Sequence, residues 1–217
     1  MKFVVTAGPT REPIDPVRFI SNRSSGKMGY AIAQAALDAG HEVILISGPT
    51  ALAAPKNAHV VRITTADELY DAVHEHAPKC DALVMCAAVS DYKPSETLAQ
   101  KMPKQRGAFS LRLTSTRDIL ASLPHEARSY LVVGFAAETQ DIEASAQKKL
   151  RAKNCDMIVA NDVSRSDVGM ESDENAVDIF FENGDRRTIS RAKKSFIARE
   201  LIKIIFQIHE KRLTKKT

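Results

Sequence analysis

Six short runs along the chain are almost continuously apolar and of strand length: "KFVVT" (2–6), "EVILIS" (42–47), "AHVVRI" (58–63), "DALVMCA" (81–87), "YLVVGFA" (130–136) and "CDMIVAN" (155–161). A strand with one wet face alternates apolar and polar residues, so runs without alternation predict strands covered on both faces. Helical patterns separate them. Met28, Ala31, Ile32 and Ala35 recur at i, i+3, i+4 and i+7 behind a serine pair suited to capping, with Gly40 as the stop. A second helix is predicted from near Ala66 to about His76, and a third from Asp141 with Ile142, Ala146 and Leu150 on one stripe. This β-α-β alternation predicts an α/β fold: a doubly wound, mostly parallel, Rossmann-like sheet with helices on both faces.

Beyond Gly169 the pattern changes. "AVDIFFENGDRRTIS" reads as two strands around Asn183-Gly184, a tight hairpin signal, and a last helix carries Ile197, Leu201, Ile204, Ile205 and Ile208 as an apolar stripe. The expectation is a single domain over 1–217 with residues 170–217 as a hairpin-helix appendage. Internal repeats and low-complexity segments are absent from the sequence.

In a doubly wound sheet, ligands gather at the carboxyl ends of the strands. Those ends carry the polar segments here. "TAGPTREPIDPVRFISNRSSGKMG" follows the first strand, "AAVSDYKPSETLAQKMPKQRG" (87–107) the fourth, "FAAETQD" the fifth and "NDVSRSDVG" the sixth. The amino-end connections, such as "LDAGHE", are short.

Composition narrows the classes. At 217 residues and 44% hydrophobic content the chain can bury a sizeable core. The sequence lacks an 18-residue apolar run and a charged leader with an apolar core, which predicts a cytoplasmic protein without a membrane role. Cys80, Cys86 and Cys155 form no CxxC pair and leave one odd, as in a reducing compartment, and each reads as packing. The net charge of +4 from 31 basic and 27 acidic residues is a mild excess. It suits small anionic ligands better than nucleic acid, and the terminal "KRLTKKT" reads as solvated.

Phosphate is the first candidate for the opening loop, because a loop feeding a helix N-terminus presents unpaired N–H groups and a positive dipole end. Ser24, Ser25, Gly26 and Lys27 stand there. The Walker A pattern fails, with Ser21 where glycine is needed and Met28 where Ser or Thr is needed, and Ser24 replaces the first glycine of the dinucleotide fingerprint. A nicotinamide reductase loses further support because the second strand ends "LISGPT" without an acidic residue and no tyrosine has lysine four positions later. HExxH and GxSxG are also missing, and His74 and His76 read as surface residues. Lysines cluster instead: Lys93, Lys101 and Lys104 in the 87–107 segment, and Lys149 with Lys153 at helical spacing. The i, i+4 pair repels unless solvated or facing an anion. The 87–107 segment is too long for an ordinary connector and suits a lid. A nucleoside triphosphate with Mg²⁺ would unite these features.

Four blocks, "GPTREPIDPVRFISNRSSGKMG", "CAAVSDYKP", "VGFAAET" and "KLRAKNCDMIVAND", in this order, resemble the phosphopantothenoylcysteine synthetases of bacterial coenzyme A biosynthesis from Lys2 to about Arg212. The resemblance implies a ligase. CTP activates the carboxylate of 4′-phosphopantothenate as an acyl-cytidylate with loss of pyrophosphate, and L-cysteine displaces CMP. By resemblance, Asn22 and Lys101 are the catalytic residues, and Asp91, Lys101, Arg117, Asp118, Ile119, Leu120, Phe135, Lys149 and Lys153 bind the nucleotide, with Asp91 also a metal ligand. Asn22 would donate to the acyl carbonyl as charge develops there. Gly8, Arg11, Arg18, Asn22, Ser24 and Ser25 would bind phosphopantothenate, the arginines and serines being assigned by charge and position. Closure of the lid would bring Lys101 to the phosphates. Two departures stand out: Arg117 where relatives often have proline, and Pro103 within a lysine cluster. The resemblance further implies a homodimer, with the hairpin and final helix or the 107–114 segment as contact, and a separate phosphopantothenoylcysteine decarboxylase chain. The rivals are a non-catalytic nucleotide-sensing module and an NAD(P)-dependent reductase on the same fold.

Overall fold

The structure, a computed structural model, describes residues 1–104, 106–124, 128–138, 142–162 and 172–214. The loop expected after the sixth strand, Asp141 and the last three residues lie outside the described residues. In chain order the elements are β1 (Lys2–Ala7), β2 (Arg11–Pro13), β3 (Phe19–Ser21), α1 (Lys27–Asp38), β4 (Glu42–Ser47), β5 (His59–Arg62), α2 (Ala66–His76), β6 (Ala82–Met85), β7 (Tyr92–Pro94), β8 (Leu113–Ser115), α3 (Ile119–Ser122), β9 (Leu131–Glu138), α4 (Ile142–Ala152), β10 (Met157–Asp162), β11 (Glu174–Phe181), β12 (Arg186–Lys193) and α5 (Lys194–Thr214).

Eight strands form the main sheet in the order β12-β11-β10-β9-β6-β1-β4-β5. The six from β10 to β5 are parallel, and β11 and β12 add antiparallel pairs at one edge. Each apolar run from the sequence becomes one of the six parallel strands. The chain order turns at β1, which has β4 on one side and β6 on the other, so a crevice opens beyond its carboxyl end.

Two cores cover the two faces. Phe3, Val5, Leu45, Val84 and Val133 pack against α1 and α5, while Val4, Ile46, Leu83, Val132 and Ile158 pack with Leu69 and Val73 of α2 and with Ala146 and Leu150 of α4. Both faces are dry, so both residue parities along each strand must be apolar, which explains the missing alternation. Gly29 lets α1 sit against β1: a Cβ there would meet Ala7 Cβ at 2.6 Å and Thr6 O at 2.9 Å.

The helix starts follow their local chemistry. Thr65 and Glu68 form a capping box on α2, with Thr65 Oγ1 accepting from Glu68 N at 3.2 Å and Glu68 Oε2 accepting from Thr65 N at 3.3 Å. The buried Glu12 carboxylate accepts the Ala66 N–H at 2.9 Å and adds negative charge to the positive end of the same helix. The hairpin turns at Asn183-Gly184 as predicted, with Gly184 at φ +87°. Expected as an appendage, the hairpin is continuous with the sheet, and α5 buries Ile197, Leu201, Ile204 and Ile205 against α1 and the strands. β12, the outermost strand, is largely exposed and carries Arg186, Arg187, Arg191 and Lys193.

Candidate functional site

The loops after β1 and β6 are joined along their length. Thr6 Oγ1 accepts from Cys86 N at 3.1 Å and Ala87 N at 3.0 Å. Ala88 N donates to Gly8 O at 2.9 Å, Thr10 N to Ala88 O at 3.1 Å and Ser90 N to Thr10 Oγ1 at 3.0 Å. This seam fixes one wall of a cavity of about 680 Å³. The other walls come from the first turn of α1, the α3 segment, β9, β10, the end of α4 and the start of α5.

Of the residues singled out from the sequence, Asn22, Ser24, Asp91, Arg117, Asp118, Ile119, Leu120, Phe135, Lys149 and Lys153 line this cavity. They come from five separate stretches of chain. Gly8, Arg11, Arg18, Ser25 and Lys101 are not on its wall.

The opening loop divides in two. Asn22, Arg23, Ser24 and Gly26 reach the cavity, whereas 11–21 fold into the β2-β3 hairpin, which packs elsewhere. Arg11 stacks over the Phe19 ring at 4.6 Å. Arg18 donates from Nη2 to Met102 O at 3.0 Å and lies 3.7 Å from Asp15 Oδ2. Gly8 has φ +76°, a left-handed backbone that glycine tolerates, and its carbonyl belongs to the seam just described. The N–H of Lys27 lies 3.5 Å from Ser25 Oγ.

Asn22 is exposed, and its Nδ2 donates to Ala88 O at 3.2 Å and Val89 O at 2.9 Å. These bonds tie the loop to the seam. A donor role toward a bound acyl group therefore requires one of them to be exchanged.

The expected lid is built differently from an open loop. β7 and β8 pair as a ribbon, and the segment between them rests on the β2-β3 hairpin through Leu98 N to Ile14 O (2.9 Å), Thr97 Oγ1 to Pro13 O (3.2 Å) and Met102 N to Asp15 Oδ2 (3.2 Å). Burial opposes charge on Asp15, but donation from Val17, Arg18 and Met102 N–H groups and the Arg18 guanidinium outweigh it and hold its carboxyl below the ordinary value. Lys101 is exposed on this docked segment.

Charge near the α3 end of the cavity is paired. Lys153 Nζ bonds Asp118, whose Oδ1 also accepts the Ala121 N–H at 3.1 Å and caps α3. Burial works against the Asp118 charge, yet Lys153 and the capped N–H leave its carboxyl below the usual range. Arg117, the departure from proline, lies over the Tyr70 ring at 3.7 Å and donates to Asp67 at 3.0 Å and Asp71 at 3.2 Å, pinning the α3 segment to α2. Lys93 also bonds Asp67, and these two cations depress the Asp67 carboxyl, with Lys93 the larger influence.

His74 is half-buried rather than fully exposed, with Nε2 at 2.9 Å from Ser122 Oγ. Burial pushes the thiols of Cys80, Cys86 and Cys155 up to about 12, so they stay protonated and unreactive near neutrality. Cys86 nonetheless lines the cavity. Lys27, named from the sequence at the start of the first helix, lines it too, as do Asn161, Asn175 and Lys194, which sequence reasoning did not assign to the site. They lie far apart in the chain, and Lys194 sits in the basic run "RAKKS", which resembles a solvated surface. A smaller hollow of about 440 Å³ between α5 and the turn of the β11-β12 hairpin contains none of the residues expected to act. Among the described residues no helix is long and apolar enough to cross a membrane.

Comparison with known proteins bears on this geometry. The chain is 47% identical over 203 residues to the coenzyme A biosynthesis bifunctional protein CoaBC of Bacillus subtilis (strain 168), covering 93% of this chain and 50% of that one. It therefore spans about half the length of the curated relatives it matches. A crystal structure of the C-terminal domain of a CoaBC protein superposes with TM-score 0.83 at 41% identity, covering 97% of this chain and 96% of that one. The H337A mutant of Cab2, solved as a complex with phosphopantothenate-cysteine, shares the fold with TM-score 0.79 at 18% identity, covering 100% of this chain and 89% of that one. The family model described as the DNA/pantothenate metabolism flavoprotein C-terminal domain matches residues 1–208, and the chain belongs to that family.

Proposed function

We propose that this chain is a phosphopantothenate–cysteine ligase, joining 4′-phosphopantothenate to L-cysteine with CTP as the activating nucleotide. What carries the reading is one cavity at the turning point of the sheet that collects Asn22, Asp91, Lys149 and Lys153, in a chain 47% identical to a coenzyme A biosynthesis protein. In the first step a carboxylate oxygen of phosphopantothenate attacks the α-phosphorus of CTP, and the α–β bond breaks to release pyrophosphate. In the second the cysteine amine attacks the acyl carbon, loses a proton, and CMP departs.

The first step brings two polyanions together, and Lys149 and Lys153 offset that repulsion. Asp118 holds the Lys153 ammonium in place until phosphate oxygens compete for it. Asn22 orients the acyl group from the seam. Magnesium usually takes one or two carboxylates together with phosphate oxygens, and Asp91, exposed on the wall, fits that donor set. Bound there, the ion would neutralise charge on the triphosphate. Lys101 acts after the docked segment leaves the β2-β3 hairpin and closes over the cavity, which would shield the mixed anhydride from water. The enzyme works in the cytoplasm as a homodimer, to which the exposed Phe109, Leu111 and Leu113 contribute apolar contact. Its product is the substrate of a phosphopantothenoylcysteine decarboxylase.

Purified protein given CTP, phosphopantothenate and cysteine tests the reading. Pyrophosphate release that requires both CTP and phosphopantothenate is expected. Binding without turnover would instead indicate a nucleotide-sensing module, and hydride transfer a reductase. Asn22→Asp should let acyl-cytidylate accumulate while pyrophosphate still appears, and normal rates for both half-reactions would remove Asn22 from the mechanism.

A further inference from the structure

We propose that Asn175 contacts substrate, its side-chain Nδ2 donating a hydrogen bond to an uncharged oxygen acceptor of a molecule bound in the cavity. The inference rests on the reading of the cavity as a ligase site. Asn175 stands near the start of β11, which runs antiparallel to β10, so the beginning of β11 meets the carboxyl ends of the parallel strands. The ladder between β11 and β12 shifts register between Asn175 and Val177. Such a bulge breaks the pairing locally and re-aims a side chain, and Asn175 lines the cavity wall.

Asn175 is 5% exposed, so its amide has little bulk water to bond with. Its Oδ1 accepts the Ala176 N–H at 3.0 Å. That bond identifies the oxygen end of the amide and leaves the NH2 group, a donor only, as the other end. Among the described residues nothing accepts from Nδ2. Nor is this nitrogen sealed in, as the unpartnered Tyr130 hydroxyl is. A donor held this deep on a cavity wall, with no acceptor of its own among the described residues, is completed by a ligand.

The amide carries no charge, and Asn161, one strand over, adds a second neutral amide to the same cavity. An uncharged acceptor suits this part of the wall. Two substrates offer one: phosphopantothenate through the hydroxyl and amide carbonyl of its middle arm, and CTP through the cytosine carbonyl. The observations favour the first. The nucleotide already has Phe135, Lys149, Lys153 and residues 117–120 on the wall, whereas Asn22 and Ser24 alone remain there of the residues expected to hold phosphopantothenate.

The test uses the purified full chain and follows pyrophosphate release while each substrate is varied. Asn175→Asp keeps an oxygen for the Ala176 N–H and replaces only the donor, whereas Asn175→Ala removes both. A residue that serves the bulge alone would tolerate Asp and be damaged by Ala. A substrate contact predicts instead that Asn175→Asp raises KM for one substrate by roughly 5- to 100-fold, the range for leaving a buried polar group unmatched, with the other within about twofold. A rise for phosphopantothenate assigns the donor to its arm, and a rise for CTP assigns it to the base. Unchanged KM values, or an equal rise in both, overturn the proposal. If Asn175→Asp fails to fold, the same comparison of KM values on Asn175→Ala decides with the same outcomes. If the unsubstituted protein releases no pyrophosphate, the ligase reading fails instead, and calorimetric titrations of phosphopantothenate and of CTP decide the contact: weaker binding of one of them to Asn175→Asp supports it, and equal binding of both overturns it.

Discussion

Two ion-pair clusters lie within four residues of each other in the chain and are built to opposite ends. Around Asp156 the cluster is closed. Arg128 Nη2 donates to Asp156 Oδ2 at 2.6 Å and Nη1 to Asn154 O at 2.6 Å, while Val132 N donates to the same carboxylate oxygen at 2.7 Å. Arg212 of α5 adds a bond to Arg128 O at 3.0 Å and lies 3.6 Å from Asp156 Oδ1. The Arg128 side chain is 5% exposed. Around Lys153 the cluster is open: its bond to Asp118 faces the cavity, with the two side chains 32% and 46% exposed. A closed cluster ties helix, strand and loop together. An open one retains capacity for a ligand.

The largest effect should come from breaking the closed cluster. Asp156→Ala leaves the Arg128 guanidinium buried and unpaired and should cost about 3–5 kcal/mol in denaturant unfolding, with KM for CTP unchanged in the protein that remains folded. Opening the other cluster should do the reverse. Lys153→Ala should change stability by less than ~1 kcal/mol but raise KM for CTP by roughly 10-fold or more in initial-rate measurements. Between them stands Arg117→Ala, which removes an aromatic contact and two exposed ion pairs. It should cost about 1–2 kcal/mol of unfolding free energy.

The smallest effect is in acid. Asp67 and Asp118 have carboxyls lowered from 3.8 in the folded state, so each contributes stability above that value. That contribution is lost as pH falls through the lower, folded value, so the stability curve should bend downward below about pH 4. Solvent screening keeps each share below ~1 kcal/mol. Lys153→Ala should flatten the Asp118 part of the bend, as read from denaturant midpoints across pH.

The parallel strands were legible because burial on two faces leaves apolar runs that few other structures require. The start of α2 was legible because its chemistry is local, at Thr65; the serine pair expected to cap α1 does not do so, since Gly26 is the N-cap in a left-handed conformation without a side-chain cap bond. The β2-β3 and β7-β8 ribbons were not legible. Each of their strands is three residues long and mostly exposed or mixed, so no period can develop, and Pro13 and Pro94 argue against strands. Arg11 and Arg18 looked like phosphate ligands because charge and loop position are visible in a sequence, whereas the Phe19 ring and Met102 carbonyl that take up these side chains are brought near only by folding. Lys194 fails in the opposite sense: its burial depends on where α5 begins against the sheet, and the letters around it suggest water.

The row of guanidinium and ammonium groups along β12 has a consequence for assembly. An unpaired border of backbone donors and acceptors invites another molecule to extend the ladder, but extension there would press like charges together and strip them of hydration. The basic edge disfavours growth in that direction, so the contact of the dimer proposed above would fall elsewhere, as at the exposed Phe109 to Leu113 stretch.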